Sequence, residues 1–340
     1  MALDELKIKD LKKFKQTVFK THYILISIST SLSQALAIYY FKANKNQTNI
    51  FIFLFLFLIL NSFLYLCIFI SQGKIERRKQ YFVGLTLSLI FNCSLILIIY
   101  TNTKFYPLYL YFISLSIYHY AEYFSVLQYH TQNVTAKSYL ITQGKQWIIC
   151  TLLSFVEFII ETIFFNKYKK IKIMFIIGLL MAITGQYFRI SALFTGKANF
   201  THLIQYKKKK NHILVKHGIY SLSRHPSYFG FYCWSVGIEI MCVNPICIIS
   251  FTYILFKFFK NRILVEEELL IEFFGMEYIK YKNEVGILIP FIHMTKEKMI
   301  KSIKNYLDDN IDHIEDDEIE EIDSFIKKNE NSSKLKEKKN

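Results

Sequence analysis

The stretch "GIYSLSRHPSYFGFYCW", residues 218–234, sets Arg224, His225 and Pro226 side by side and follows them with an almost unbroken apolar run. Charged and ring-locked residues are costly at the edge of a hydrocarbon layer unless something there uses them. Two questions follow: whether this is such an edge, and what the three residues hold.

The surrounding composition answers the first. Of 340 residues, 52% are hydrophobic and 17% aromatic, and mean hydropathy is +0.24. That is too apolar for a soluble chain of this length. The apolar residues are gathered in blocks of roughly 20, the length a helix needs to cross a hydrocarbon core ~30 Å thick. Only 11 glycines and 4 prolines interrupt them, which suits long helices better than turn-rich sheet. A strand reading fails, because the blocks are twice the length of a membrane strand and lack period-two alternation. The expected fold is all-α: a polytopic integral membrane protein.

Eight spans are expected, at about 22–41, 50–70, 81–100, 107–127, 146–165, 173–194, 228–242 and 246–259. Only Asn244 and Pro245 lie between the last two short spans, which predicts a tight helical hairpin within the bilayer. The basic arm "MALDELKIKDLKKFKQTVFK", the loop "GKIERRKQ" and the basic stretch 196–226 are separated by even numbers of crossings. Short-loop basic residues stay cytosolic, so both termini are expected on that side, although "NKYKKIK" at 166–172 points the other way. The organisation expected is a basic arm over 1–21, a bundle of five spans over 22–172, a core over 173–293, and an acidic, low-complexity cytosolic tail over 294–340.

The net charge of +15 raises nucleic acid as a partner. The charge flanks spans, however, so anionic lipid headgroups fit it better and no nucleic-acid partner is expected. "QALAI" near residue 35 resembles a signal-cleavage site, but the apolar run continues to Phe41, favouring an uncleaved span. The six cysteines, Cys67, Cys93, Cys150, Cys233, Cys242 and Cys247, lie in or beside apolar segments without a CxxC pair. They read as packing residues, with neither metal nor disulfide framework expected. In the tail, "DDNIDHIEDDEIEEIDSF" reads as an amphipathic helix and the polar end after it as disordered, the whole being solvated.

Polar residues inside spans either pair within the bundle or line a site. His119, Glu122, Glu157 and Glu161 stand in this position, and Glu157 and Glu161 share one helix face. Interhelical hydrogen bonding is the leading reading and a ligand role the other. Arg262 and Glu266 are also four apart, with Glu267 beside, either on a solvated face or at the mouth of a cavity. Taken alone, His225 could cap a helix, and Tyr220 and Tyr228 could be interfacial aromatics.

Together these residues carry a resemblance. "LVKHGIYSLSRHPSYFGFYCWSVG", "NPIC", the R-x-x-x-EE spacing and "FFGMEYIKYKNEV…IPF" resemble the protein-S-isoprenylcysteine O-methyltransferase family. The similarity extends upstream through "YHYAEYF", "FVEFIIETIF" and "GLLMAITGQYFRISALFTGKANFTH", covering roughly 111–293. The resemblance implies an endoplasmic-reticulum membrane enzyme that uses S-adenosylmethionine (SAM) to methylate the C-terminal S-prenylcysteine of CaaX-processed proteins. It also implies a cofactor pocket on the cytosolic side. It places the SAM site on Gln205, His212, Ile213, Leu214, Val215, Tyr220, His225, Pro226, Ser227, Tyr228 and Glu266, and a substrate contact on Arg262. Within these motifs the chain departs from the family pattern only in "HIL" for a more polar "HTL" and in the hydrophobic "ILV" before Glu266.

The RHPxYxG…EE…FGxxYxxY core is shared with phospholipid N-methyltransferases, and a looser form occurs in NADPH-dependent sterol reductases. Arg262 would sit awkwardly beside a cationic lipid amine, and no basic cluster is dedicated to a 2′-phosphate. A transporter or receptor would spread its central polar residues over both halves of the chain, whereas here they concentrate in the C-terminal third.

Overall fold

The computed structural model describes residues 75–100, 104–130, 134–141, 145–165, 169, 171–208, 212–310, 314 and 316–337, the last ten of these by backbone alone. The expected spans at 22–41 and 50–70 lie outside the described residues. Every element among the described residues is helical. They fall into two compact units, one of 75–127 with 131–147 and the other of 128–130 with 148 onward.

In the first unit, α1 (Ile75–Tyr100) and α2 (Tyr106–Tyr129) are followed by a 3-10 turn, Ala136–Tyr139. Polar side chains inside apolar helices bond to backbone where packing brings it close. Tyr120 donates to the Gly84 carbonyl at 2.5 Å, Ser116 to Leu87 at 3.2 Å, and the buried His119 to Tyr139 at 2.7 Å. The Tyr123 ring stacks on Tyr139 with centroids 4.0 Å apart.

The second unit contains α3 (Lys145–Phe164, from Ile148 onward), α4 (Lys172–Gly196), α5 (Pro226–Cys242), α6 (Pro245–Glu284), α7 (Lys296–Asn310) and α8 (Asp316–Glu337). Among the described residues, three stretches are long and apolar enough to cross a membrane: Arg78–Ile99, Trp147–Phe164 and Lys172–Asn199. Residues such as Leu152, Val156, Ile160, Ile176 and Leu180 remain exposed on α3 and α4, as expected for surface that lipid covers.

Helices α4 and α5 approach through small residues. A Cβ on Gly230 would stand 2.5 Å from the Arg189 nitrogen and 2.7 Å from the Gly185 carbonyl, so only glycine permits this backbone contact.

Proline occupies the first turn of both α5 and α6, where its missing N–H costs nothing. The expected hairpin joins them, and its turn is held by charge. Glu157 of α3 accepts the free N–H groups of Ile246 and Cys247 at 2.7 and 2.8 Å, capping α6. Lys169 donates to the terminal carbonyls of Cys242 and Val243 at 2.8 and 2.9 Å and to Asn244 at 2.8 Å. It also pairs with Glu161 at 2.6 Å. Each charge thus meets the helix end of opposite polarity. The buried Glu239 completes the cluster, with Ser154 Oγ 2.8 Å from both its oxygens and Asn244 Nδ2 at 2.8 Å. Glu157 therefore bonds between helices, while Glu161 pairs with Lys169 in the connection after its own helix.

The chain departs from expectation at two places. The eighth apolar segment is not a short helix ending near 259. It continues as α6 to Glu284, broken only at Gly275 (φ 52°, ψ −129°), because "FFKNRILVEEELLIEFF" keeps helical periodicity after hydropathy falls. The tail is not simply solvated either. Ile303 of α7 and Ile322 of α8 are fully buried against Ile271, Tyr278 and Ile279 of α6. Within the acidic stretch Ile322 is buried, and Ile326 just beyond it joins the same cluster. The backbone beyond is helical to Glu337 rather than disordered.

Candidate active site

The site is assembled where α5 begins. His225 is the N-terminal flanking residue of α5 and Pro226 its first helical residue. Between α4 and α5 the chain runs through irregular backbone and a 3-10 turn, Gly218–Ser221. Gly218 there has φ +61° and faces Thr195. This connection, the start of α5 and the second half of α6 enclose one cavity. Gln205, His212, Ile213, Leu214, Val215, Tyr220, His225, Pro226, Ser227, Tyr228 and Glu266 all line it. Phe273, Phe274, Tyr278 and Tyr281 close the α6 side, and Arg224 also contributes to the wall. Arg262 is not part of the lining.

The cavity wall is ordered by two adjacent carboxylates with different partners. Glu266 accepts a hydrogen bond from the Tyr228 hydroxyl. Arg262 Nε donates to the Tyr228 oxygen at 2.7 Å and to Glu266 at 3.3 Å, and Nη2 donates to the His202 carbonyl at 2.6 Å. The guanidinium also lies over the Tyr228 ring, 5.4 Å from its centroid. Burial works against the charge of Arg262, but Tyr228 and Glu266 outweigh it and hold its pKa above the ordinary value.

Glu267 is 1% exposed, and a carboxylate so buried would be neutral without partners. It has four. Arg224 donates from Nε at 2.9 Å and Nη2 at 3.2 Å, His225 Nε2 lies at 2.9 Å, Tyr278 donates at 2.6 Å, and Lys282 pairs with the second oxygen. Burial pushes the Glu267 carboxyl upward. The hydrogen bond and charge of His225, with Lys282 and Arg224, reverse that and hold it well below the usual carboxylate range. Arg224 also donates to the carbonyls of Lys282, at 3.1 Å, and Val285, tying the α5 entrance to the end of α6.

An ionised Glu267 requires a hydrogen on His225 Nε2. Nδ1 faces Glu266, 3.7 Å from its Oε2. The imidazole stacks on Tyr228 with an interplanar angle of 8°. Burial also drives the Tyr220 hydroxyl pKa upward. Its ring is fixed by contact with the Ala192 carbonyl at 3.4 Å and by Tyr281, which donates to the Tyr220 carbonyl at 2.6 Å.

Comparison with known proteins gives this geometry its context. Residues 176–272 match the family model described as the isoprenylcysteine carboxyl methyltransferase (ICMT) family. A protein-S-isoprenylcysteine O-methyltransferase of Saccharomyces cerevisiae is 39% identical over 200 residues, 57% of this chain and 84% of that protein. Its namesake from Tribolium castaneum is 41% identical over 178 residues, 52% of this chain and 63% of the relative. A solved structure of the eukaryotic intramembrane Ras methyltransferase ICMT superposes with a TM-score of 0.72 at 30% identity, covering 80% of this chain and 97% of that one.

The chain belongs to the isoprenylcysteine carboxyl methyltransferase family. Its matched segment runs from α4 to the middle of α6, so all eleven cavity residues expected from the family motif fall inside it, as does Arg262. Two residues of this isoprenylcysteine methyltransferase matter structurally yet received no role from sequence: Arg224 and Arg189. Glu267, expected beside Arg262 on a solvated face or at a cavity mouth, is instead buried and paired with Arg224 in the hub described above. Arg189 is a buried cation within α4 whose Nη1 donates to Ser227 Oγ at 2.5 Å, joining the span to the cavity wall. An arginine inside an apolar run is itself a signal of a site, and that signal was available in "GQYFRIS".

Proposed function

We propose that this protein is a SAM-dependent methyltransferase that esterifies the α-carboxylate of C-terminal S-prenylcysteine in CaaX-processed proteins. The single observation that carries the reading is the cavity itself. Eleven residues scattered over about sixty positions converge on one cavity, in a chain of the isoprenylcysteine methyltransferase family.

The donor set fits the cofactor. SAM carries a sulfonium and an ammonium, for which the Glu266 carboxylate is a complementary charge. The aromatic walls, Tyr220, Phe273, Phe274 and Tyr278, suit an adenine face. His225, Pro226, Ser227 and Tyr228, with Gln205 and His212 to Val215, contribute to the same lining.

Held by these residues, the cofactor would supply an electrophilic methyl group, exchanging its carbon–sulfur bond for a carbon–oxygen bond to the substrate carboxylate and giving a neutral thioether and a methyl ester. A C-terminal carboxyl has a pKa of about 3.5 and is already ionised, so no side chain need remove a proton. The protein's contribution is alignment and exclusion of water, worth up to ~7–11 kcal/mol when reacting atoms are held in attack geometry. Arg262, with its planar fork, is the carboxylate clamp. Its bonds to Tyr228 and Glu266 support both the clamp and the cofactor wall.

The substrate explains the membrane setting. A prenyl chain gains about 0.8 kcal/mol per buried CH₂ by staying in lipid, so it enters laterally near α4 and the α5–α6 hairpin. The reading includes eight spans, both termini and the cofactor cavity on the cytosolic side, and residence in the endoplasmic reticulum. On this reading a phospholipid N-methyltransferase is disfavoured, because Arg262 as the acceptor clamp would repel a cationic lipid amine.

The test is methyl transfer from labelled SAM in membranes expressing the chain, with N-acetyl-S-farnesylcysteine as acceptor and base-labile methanol as readout. Signal that requires both the prenyl group and His225 supports the reading. Label appearing in phospholipid instead would overturn it.

A further inference from the structure

The most apolar face of the second half of α6 is covered by the chain's own C-terminal helices, and the cover meets α6 at its one break. At Gly275 the backbone takes φ +52°, which L side chains rarely adopt. A Cβ built there would stand only 2.3 to 2.7 Å from three ring carbons of Tyr306 on α7. The Phe273 carbonyl, two residues before the break, accepts from Lys208 at 2.5 Å.

The cavity is lined from both arms of this bent helix. Leu270, Phe273 and Phe274 precede the bend, while Tyr278 and Tyr281 follow it. The C-terminal pair grips both arms. Lys298 meets Glu268 at 2.6 Å and Asn305 meets Glu272 at 2.7 Å, before the bend. Glu321 of α8 meets Lys280 at 2.9 Å, after it. Tyr306 joins the helices through Glu318 at 3.2 Å. Exposed pairs of this kind contribute little singly, but Ile303, Ile322 and Ile326 bury the same junction.

We infer that Tyr306, seated on Gly275, is a positioning residue by which the C-terminal helix pair sets the bend of α6 and so the fit of the cavity to the methyl donor. This rests on the cofactor reading above and extends it. The proposed acceptor side, Arg262 and the α5–α6 hairpin, precedes the bend, whereas Tyr278 and Tyr281, which follow it, line the donor cavity, so the dependence is selective: donor affinity changes and acceptor affinity does not.

The experiment measures equilibrium binding of S-adenosylhomocysteine to purified full-length protein by calorimetry, with KM for SAM and for N-acetyl-S-farnesylcysteine determined separately. Tyr306→Ala should weaken donor binding by about ten- to a hundredfold, the range expected when a remote change misplaces a site by about 1 Å. Its KM for the prenyl acceptor should hold. Tyr306→Phe keeps the ring and should bind as the wild type does. Should Tyr306→Ala fail to fold, Tyr306→Leu, which preserves apolar volume without the flat ring, carries the same expectation. Unchanged donor affinity in folded Tyr306→Ala or Tyr306→Leu, or equal loss for both substrates, would overturn the inference. Wild-type protein that binds no S-adenosylhomocysteine would overturn the cofactor reading and this inference with it.

Discussion

His225 Nε2 lies 2.9 Å from Oε1 of Glu267. The histidine that the sequence offers as a cofactor contact is therefore first a partner of a buried carboxylate, which requires a hydrogen on its Nε2 and sets its plane. The question raised by Arg224, His225 and Pro226 at a membrane edge has a physical answer. Arg224 and His225 converge on Glu267, and Pro226 starts the helix from which they reach it.

Glu267→Gln should be among the most disruptive single changes in the C-terminal unit. It leaves Arg224 and Lys282 without their counter-charge, and breaking a buried pair from one side costs about 3–5 kcal/mol. Thermal unfolding in detergent, followed by near-UV circular dichroism, should show a large loss of stability. A melting curve superimposable on the wild type would remove the hub from the account.

The same group predicts an acid limb. Glu267 has a folded pKa below the ordinary carboxylate value of 4.5. Its contribution is therefore fully present above pH 4.5 and is lost as pH falls from there through the folded pKa. Stability measured down through this range should fall in the wild type. It should fall less steeply in Glu267→Gln, which binds no proton; parallel slopes would contradict the assignment.

Arg262→Lys preserves charge but loses the Nε donor that holds Tyr228 and the forked geometry. Methyl transfer should drop by about tenfold or more, equivalent to ~1.4 kcal/mol of transition-state stabilisation. Arg262→Ala should drop further. Both proteins should still insert, checked by membrane fractionation. Wild-type activity in either variant would exclude the clamp.

Lys169→Met tests the turn of the hairpin. The ammonium satisfies two terminal carbonyls of α5 and pairs with Glu161. Its loss should destabilise the unit by about 3–5 kcal/mol and raise protease sensitivity around 242–247. Substrate KM values of the folded fraction should be preserved, since no residue of this cluster lines the cavity.

Gly230→Ala places a methyl group against the backbone of Arg189 and Gly185. Helices α4 and α5 would have to separate, so lower yield and lower melting temperature are expected. Wild-type behaviour would mean the helices can part at no cost.

Much of this architecture was legible because hydrophobic periodicity and helix-stopping residues are local properties. Helices α1 to α5, the proline-started hairpin and the helical class follow from residues read in order. The eleven cavity residues were legible through a motif rather than through physics, since nothing local says that Gln205 and Glu266 line one cavity. The reach of α6 was missed because hydropathy records where lipid ends, not where a helix ends.

What the sequence determined by itself was the set of segments that must leave water, together with the residues too polar to follow them without partners. What tertiary structure alone decided was the pairing. Glu266 and Glu267 are neighbours with the same side chain, yet one faces the cavity through Tyr228 and the other is sealed among Arg224, His225, Tyr278 and Lys282. Successive helical residues point about 100° apart, so adjacent carboxylates meet different surroundings. Which surroundings those are depends on chain arriving from tens of residues away.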